Sequence, residues 1–271
     1  MDDPYYTTFN RLTGINNVHR ITGYEGSGQK QDPSRGYKVH PPYGGLNYRK
    51  IEYPDAVQTF ATSLNNRKMV AGFFQGRTGK IRGFVDWNNI WSSYEDPLAR
   101  RSGATELLGL NDAGEAVGIT SVGSVVHAFQ IKIGTDHFVP ISPPGGTNAE
   151  ATGINGQGDV VGYVTLSSGG VAGFLLKNGK FQLLSYPGST ATEFLGVTVY
   201  DTIVGSFVSA TGVTHGFVLQ HPLSPTRITW QQIDVPDAKA TTATSINLHG
   251  EIVGWYLGDA GRNHGFIGTP R

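Results

Sequence analysis

Short apolar runs recur along this chain, and polar turn residues separate them at regular intervals. Val160 to Tyr163, Gly173 to Leu176 and Ile252 to Trp255 have the β-branched and aromatic content of strands. Between such runs stand clusters like Asn111 to Gly114 and Asn155 to Gly158, in which Asn bonds nearby backbone and Gly supplies positive φ. One unit therefore reads as four short strands. The first ends at Asn155, the second passes through Gly162 and the third starts at Gly173. The fourth runs from Phe181 to Tyr186 and stops at Pro187. Strands that are apolar on both faces need cover on both sides, which stacked blades provide.

The unit occurs six times. Thr13 to Asn16, Thr62 to Asn65, Leu108 to Asn111, Thr152 to Asn155, Leu195 to Thr198 and Thr244 to Asn247 each precede a glycine seven positions after the Asn or its Thr replacement. Those glycines are Gly23, Gly72, Gly118, Gly162, Gly205 and Gly254, read as points of close packing between neighbouring blades. A small residue and an aromatic follow: Gly36-Tyr37, Gly83-Phe84, Ala128-Phe129, Gly173-Phe174, Gly216-Phe217 and Gly265-Phe266. Pro54, Pro97, Pro143, Pro187 and Pro236 then close all units but the last. A period of about 45 residues is that of propeller blades. The expected fold is a single all-β, six-bladed β-propeller of four-stranded blades over residues 1–271, with units near 11–57, 58–103, 104–149, 150–192, 193–241 and 242–271 plus 1–10. No fourth strand follows Phe266, and Asp2 to Thr8 resembles the stretch from Asp234 onward. The N-terminal segment is thus expected to complete the last blade.

Composition narrows the partners. Lys plus Arg equals Asp plus Glu at 21 each, so no broad basic face is expected, and nucleic acid is excluded as a partner. Cysteine is absent, which removes disulfides, thiolate metal sites and thiol nucleophiles. No apolar run has the length of a membrane span. The opening residues carry no signal-peptide pattern, so the protein is either cytoplasmic or secreted or periplasmic with the signal peptide removed.

The units resemble the HAF repeat family, an extracellular repeat named for its His-Ala-Phe signature. His127-Ala128-Phe129 matches it literally, while His215-Gly216-Phe217 and His264-Gly265-Phe266 match the commoner His-Gly-Phe form. The resemblance covers essentially the whole chain and implies a repeat propeller exported from a bacterial or fungal cell. It implies no reaction. The chain departs from the pattern at Arg35, Arg82 and Ala172 in place of His, and at Thr198 in place of Asn.

Function has to lie where the copies differ. The position five before each Asn opens the innermost strand at one mouth of the central channel, and reads Arg11, Phe60, Glu106, Glu150, Glu193 and Thr242 around the ring. These residues form either a solvated rim or a polar site in which close carboxylates raise one pKa and supply a general acid or base. Tyr24, Phe74, Tyr163, Trp255 and Tyr256 lie near strand ends at the same face, where they serve blade packing or line a mouth for an apolar or sugar ligand. His127, His215 and His264 begin third strands. They either bond a neighbouring loop or pair with Glu106 and Glu193, and a propeller's radius keeps them apart for metal binding.

Two classes of function fit this reading. One is a cofactor-free and metal-free enzyme of specialised metabolism (a cyclase, isomerase, lyase or pericyclase) acting on a small organic ligand in the channel, with Glu106, Glu150 and Glu193 catalytic. The other is a secreted, non-catalytic module that binds glycan or protein, or that adheres through its outer blade surfaces.

Overall fold

The computed structural model describes residues 9–27 and 29–270. Its strands follow the predicted meanders. The first sheet contains β1 (Asn10–Ile15), β2 (Ile21–Glu25), β3 (Arg35–Val39) and β4 (Arg49–Ile51). The next contains β5 (Gln58–Leu64), β6 (Met69–Gln75), β7 (Ile81–Trp87) and β8 (Ile90–Tyr94). A third contains β9 (Ala104–Leu110), β10 (Glu115–Val122), β11 (Val125–Lys132) and β12 (Phe138–Ile141). Two further meanders are β13 (Gly146–Ile154), β14 (Val160–Leu166), β15 (Val171–Lys177), β16 (Lys180–Leu184), and β17 (Ala191–Val197), β18 (Ile203–Val208), β19 (Thr214–Gln220), β20 (Thr229–Ile233). One parallel pairing, Val171 of β15 with Ala191 of β17, links them. The last sheet holds β21 (Ala240–Ile246), β22 (Ile252–Leu257) and β23 (Asn263–Gly268). This is a β-propeller with four-stranded blades.

The strand expected to complete the last sheet falls on residues 1–8, outside the described residues. Phe9 forms a parallel bridge with Asn263, at the repeat position of the Val171–Ala191 bridge. The first sheet therefore follows the last as the fifth meander follows the fourth.

Each innermost strand carries an irregularity at the same place. Its register with the second strand shifts around Thr13, Thr62, Leu108, Thr152, Leu195 and Thr244. Such a bulge turns one residue out of the ladder. Here the released threonine hydroxyls reach the next sheet: Thr13 donates to Ala61 O at 2.8 Å, Thr62 to Leu107 O at 2.8 Å, Thr152 to Phe194 O at 2.6 Å and Thr244 to Leu12 O at 2.8 Å. One turn further, Asn side chains make a second belt. Asn16 Nδ2 donates to Asn65 O, Asn65 to Asn111 O, Asn111 to Asn155 O, Asn155 to Thr198 O and Asn247 to Asn16 O. These asparagines are buried, and their Oδ1 atoms also accept backbone N–H groups of their own turns. Satisfying both ends of a buried amide makes it a tie rather than a cost.

The second-strand glycines have a different reason from the one expected. A Cβ on Gly72, Gly118, Gly162 or Gly205 would lie 1.9 Å from the carbonyl oxygen of Phe60, Glu106, Glu150 or Glu193 respectively. Within one blade, the bulge presses that carbonyl onto the glycine Cα. The contact is between adjacent strands and not between neighbouring blades. Packing between blades falls instead to the third-strand aromatics, among which Phe84, Phe174 and Phe217 are fully buried.

Candidate functional site at the channel mouth

The carbonyls seated on these glycines belong to the residues predicted to ring the mouth, so the backbone clasp also fixes the site. The strand register pairs each ring residue with the residue after its glycine: Arg11 with Tyr24, Phe60 with Phe73, Glu106 with Ile119, Glu150 with Tyr163, Glu193 with Ser206 and Thr242 with Trp255. Cross-strand partners share a face. Six pairs therefore present to one end of the channel. Its middle is narrow, a cavity of about 100 Å³ lined by the bulge residues of all six units.

One half of the mouth is acidic. Burial pushes the carboxyl of Glu106 up to about 7, and the neighbouring Glu150 carboxylate adds to the effect. Glu150 is also raised by burial, which the hydrogen bond from the Tyr163 phenol partly offsets. Burial likewise raises Glu193. Its hydrogen bond from Ser206 Oγ, at 3.2 Å, opposes the shift, and the charge of Glu150 reinforces it. Tyr163 is held above its ordinary value first by burial and then by the charges of Glu150 and Glu193. Glu106 and Glu193 thus each feel the charge of Glu150, which lies between them around the ring.

The other half is cationic and aromatic. The Arg11 guanidinium lies 4.1 Å from the ring centroid of Trp255 and 5.1 Å from that of Phe9, and Nη1 donates to Tyr24 Oη at 3.3 Å. Its Nε is buried with no acceptor among the described residues. Tyr24 meets Phe60 edge-on at 5.1 Å, and Phe60 stacks on Phe73 at 4.5 Å. Thr242 is buried beside Trp255.

Phe73, Ile119 and Ser206 belong to this site, although the sequence reading did not name them. The position after the second-strand glycine was the signal that could have found them. Phe74 is a correction. Strand alternation turns it away from Phe73, and it lies buried in face-to-face contact with Tyr53, 3.7 Å between centroids. The histidines stand apart on third strands. His215 Nδ1 lies 3.0 Å from Asp234 and its ring stacks on Phe207, while His264 stacks on Tyr256. His127 lines an outer cavity with Pro97, His137 and Phe138. Among the described residues no hydrogen bond or ring contact joins any of these histidines to the three glutamates. Nor is any group of three or more His, Asp or Glu there arranged to hold a metal ion.

No family model matches the chain. No curated protein matches it. Solved structures do. A TolB of Agrobacterium tumefaciens is 8% identical with a TM-score of 0.65, over 97% of this chain and 90% of that one. AofleA of Arthrobotrys oligospora is 11% identical with a TM-score of 0.60, over 97% and 84%. A lectin of Aleuria aurantia, solved with a fucosylated sugar, is 9% identical with a TM-score of 0.54, over 96% and 91%. At these identities the likeness shows the propeller fold alone. Among the described residues no helix is long and apolar enough to cross a membrane.

Proposed function

We propose that the chain is a six-bladed propeller whose glutamate-bearing mouth binds a small organic molecule and exchanges a proton with it, as a cofactor-independent cyclase, isomerase or lyase does. The observation that carries this reading is Glu106, raised to about 7 by burial and by Glu150, across the mouth from Arg11 and Trp255. A group half-protonated near neutrality serves as either acid or base. The aromatic half supplies apolar surface to hold a substrate, and the guanidinium supplies a charge complementary to developing anionic oxygen. The His-Gly-Phe and Gly-Ile-Asn pattern supports membership among the HAF repeats, and with it export from the cell.

The test is a crystal structure with co-purified or soaked ligand, followed by Glu106→Gln, Glu150→Gln and Glu193→Gln in turnover assays of that ligand. Density against the glutamates and loss of turnover in Glu106→Gln are expected. Full activity in all three variants overturns the reading.

A second reading is a secreted glycan-binding module. It is favoured by the Arg11–Trp255 stack, since a flat ring beside a fork of N–H donors suits a sugar face and its hydroxyls. The propeller lectin from Aleuria aurantia, described with fucosides, adds support by analogy of fold. Glycan binding that Trp255→Ala abolishes and Glu106→Gln leaves intact would select this reading.

A further inference from the structure

The face opposite the glutamate mouth carries a cluster that the proposed reaction does not use. Acidic and basic residues balance over the whole chain, yet five basic side chains, one of them a histidine, meet at one place. Arg20 ends the turn between β1 and β2, and Lys68 stands in the equivalent turn between β5 and β6. Lys38 lies in β3, His40 follows that strand, and Arg49 opens β4. Together they line a cavity of about 200 Å³ between the first two sheets. The cavity is apolar at depth, where Val39, Leu64 and Val70 are buried. Toward solvent it is basic, since His40, Arg49 and Lys68 are exposed and Arg20 and Lys38 half-buried.

These cations are set against one another. Lys38 and Arg49 are direct cross-strand partners, so their side chains share a face, and like charges so placed are destabilising. Asp86 answers only one of them. It is fully buried, its Oδ1 accepts from Asn89 N at 2.7 Å, and its Oδ2 lies 3.5 Å from Lys38 Nζ. Among the described residues no carboxylate lies within ion-pair distance of Arg20, Arg49 or Lys68. Elsewhere the chain pairs its cations readily: Lys80 and Arg82 meet Glu95, Lys177 meets Asp159 and Asp201, and Arg77 meets Asp55. Crowding cations over an apolar floor costs stability in the empty protein, a pattern typical of sites kept for a ligand.

We propose that this cavity binds a phosphate monoester carried on a small apolar group. Charge count selects the head group. With Lys38 committed to Asp86, the side chains of Arg20, Arg49 and Lys68 leave three positive charges. A carboxylate or sulfonate answers one of these, whereas a phosphate monoester brings close to two negative charges and three acceptor oxygens. The two guanidiniums present planar forks of N–H donors, the geometry that grips phosphate oxygens in pairs. Size and lining select the rest of the ligand. The buried valines and leucine favour an apolar body, and a volume of about 200 Å³, below the range of drug-sized sites, limits it to about one ring. A free organic phosphate and a phosphotyrosine side chain on a partner protein offer this same chemistry, and two probes separate them.

The test is isothermal titration calorimetry of the full chain with phenyl phosphate, in phosphate-free buffer of low ionic strength. Saturable one-to-one binding is expected. Benzenesulfonate, with the same ring and one charge, and inorganic phosphate, with no ring, should each bind about tenfold more weakly. Arg49→Gln and Lys68→Gln change exposed side chains, and each should weaken phenyl phosphate by about tenfold. Arg77→Gln, at the exposed Asp55 pair, should leave it unchanged. Without ligand, Arg49→Gln should melt no lower than the parent, because it relieves repulsion from Lys38. A pentapeptide with phosphotyrosine between two pairs of alanines distinguishes the sources. Binding no tighter than that of phenyl phosphate assigns the cavity to a free ligand, and tighter binding assigns it to a phosphorylated protein. Absence of saturable phenyl phosphate binding overturns the proposal, as does unchanged binding in both variants. Benzenesulfonate binding as tight as phenyl phosphate would make the cavity a general anion trap, and a lowered melting temperature in Arg49→Gln would give that cation to the fold; either result also overturns it.

Discussion

Tyr163 stands opposite Glu150 across β14 and β13, and its phenol donates to the Glu150 carboxylate. Burial and the surrounding carboxylates hold the phenol above its ordinary value, so it remains a donor throughout the physiological range. This bond favours the charged form of Glu150. No such hydrogen bond offsets the burial of Glu106, whose cross-strand partner is the apolar Ile119. All three carboxyls are raised by burial, but a hydrogen bond opposes the shift at Glu150 and at Glu193 and none does so at Glu106.

These shifts make stability depend on pH. Folded chain binds the Glu106 proton more tightly than unfolded chain, whose carboxyl has the ordinary value of 4.5. The stabilisation is therefore full below about pH 4.5 and declines as pH rises to about 7, by at most about 3 kcal/mol. Glu150 and Glu193 are displaced in the same direction and add to the slope. Urea unfolding at closely spaced pH values should show midpoints falling across this window. In Glu106→Gln the fall should be visibly shallower, and an unchanged slope would contradict the assigned environment.

The clasp between carbonyl and glycine can be tested without any ligand. Gly162→Ala places a methyl 1.9 Å from Glu150 O, so β13 and β14 must separate. The expected cost is about 3 kcal/mol, at the upper end for forced overpacking. Gly76→Ala is the control: its nearest contact would be Lys80 O at 3.8 Å, and its effect should stay within about 0.5 kcal/mol. Thermal or urea unfolding of the two variants gives the comparison.

Thr198 breaks the asparagine belt while keeping the local turn. Its hydroxyl accepts from Tyr200 N at 3.3 Å and Thr202 N at 3.2 Å, the work that Asn Oδ1 does in the other units. What it lacks is the amide that would donate onward to the last sheet. Thr198→Asn should restore that tie and stabilise the chain by about 1 kcal/mol. Calorimetry would show a melting temperature a few degrees higher; no gain would mean that this seam is spaced too widely for the bond.

Much of this architecture was legible because its period is written in side chains. The Asn at each turn, the glycine seven residues on and the third-strand aromatic mark the strands, and the ring of Arg11, Phe60, Glu106, Glu150, Glu193 and Thr242 follows from counting back along them. The bulge was not legible. A register shift leaves no residue signature where Leu108 and Leu195 replace Thr, and without it the glycine contact was assigned to the wrong neighbour. Phe73 and Phe74 show the same limit in small: two adjacent aromatics differ only in the face they take, and that choice depends on a strand phase the bulge resets. The histidines were legible as a repeated position but their partners were not: side-chain direction on the third strand decides between a glutamate and a neighbour, and His215 meets Asp234 and Phe207 while His264 stacks on Tyr256.

Because the clasp joins a carbonyl oxygen to a glycine Cα, it makes no use of the side chain on the residue that supplies the carbonyl. Arginine, phenylalanine, glutamate and threonine all occupy that residue here with nearly the same backbone. The fold therefore sets the address of six side chains and leaves their spelling open. A lineage could rewrite the chemistry of this mouth one letter at a time, each change weighed by what the site does and hardly at all by whether the chain still folds.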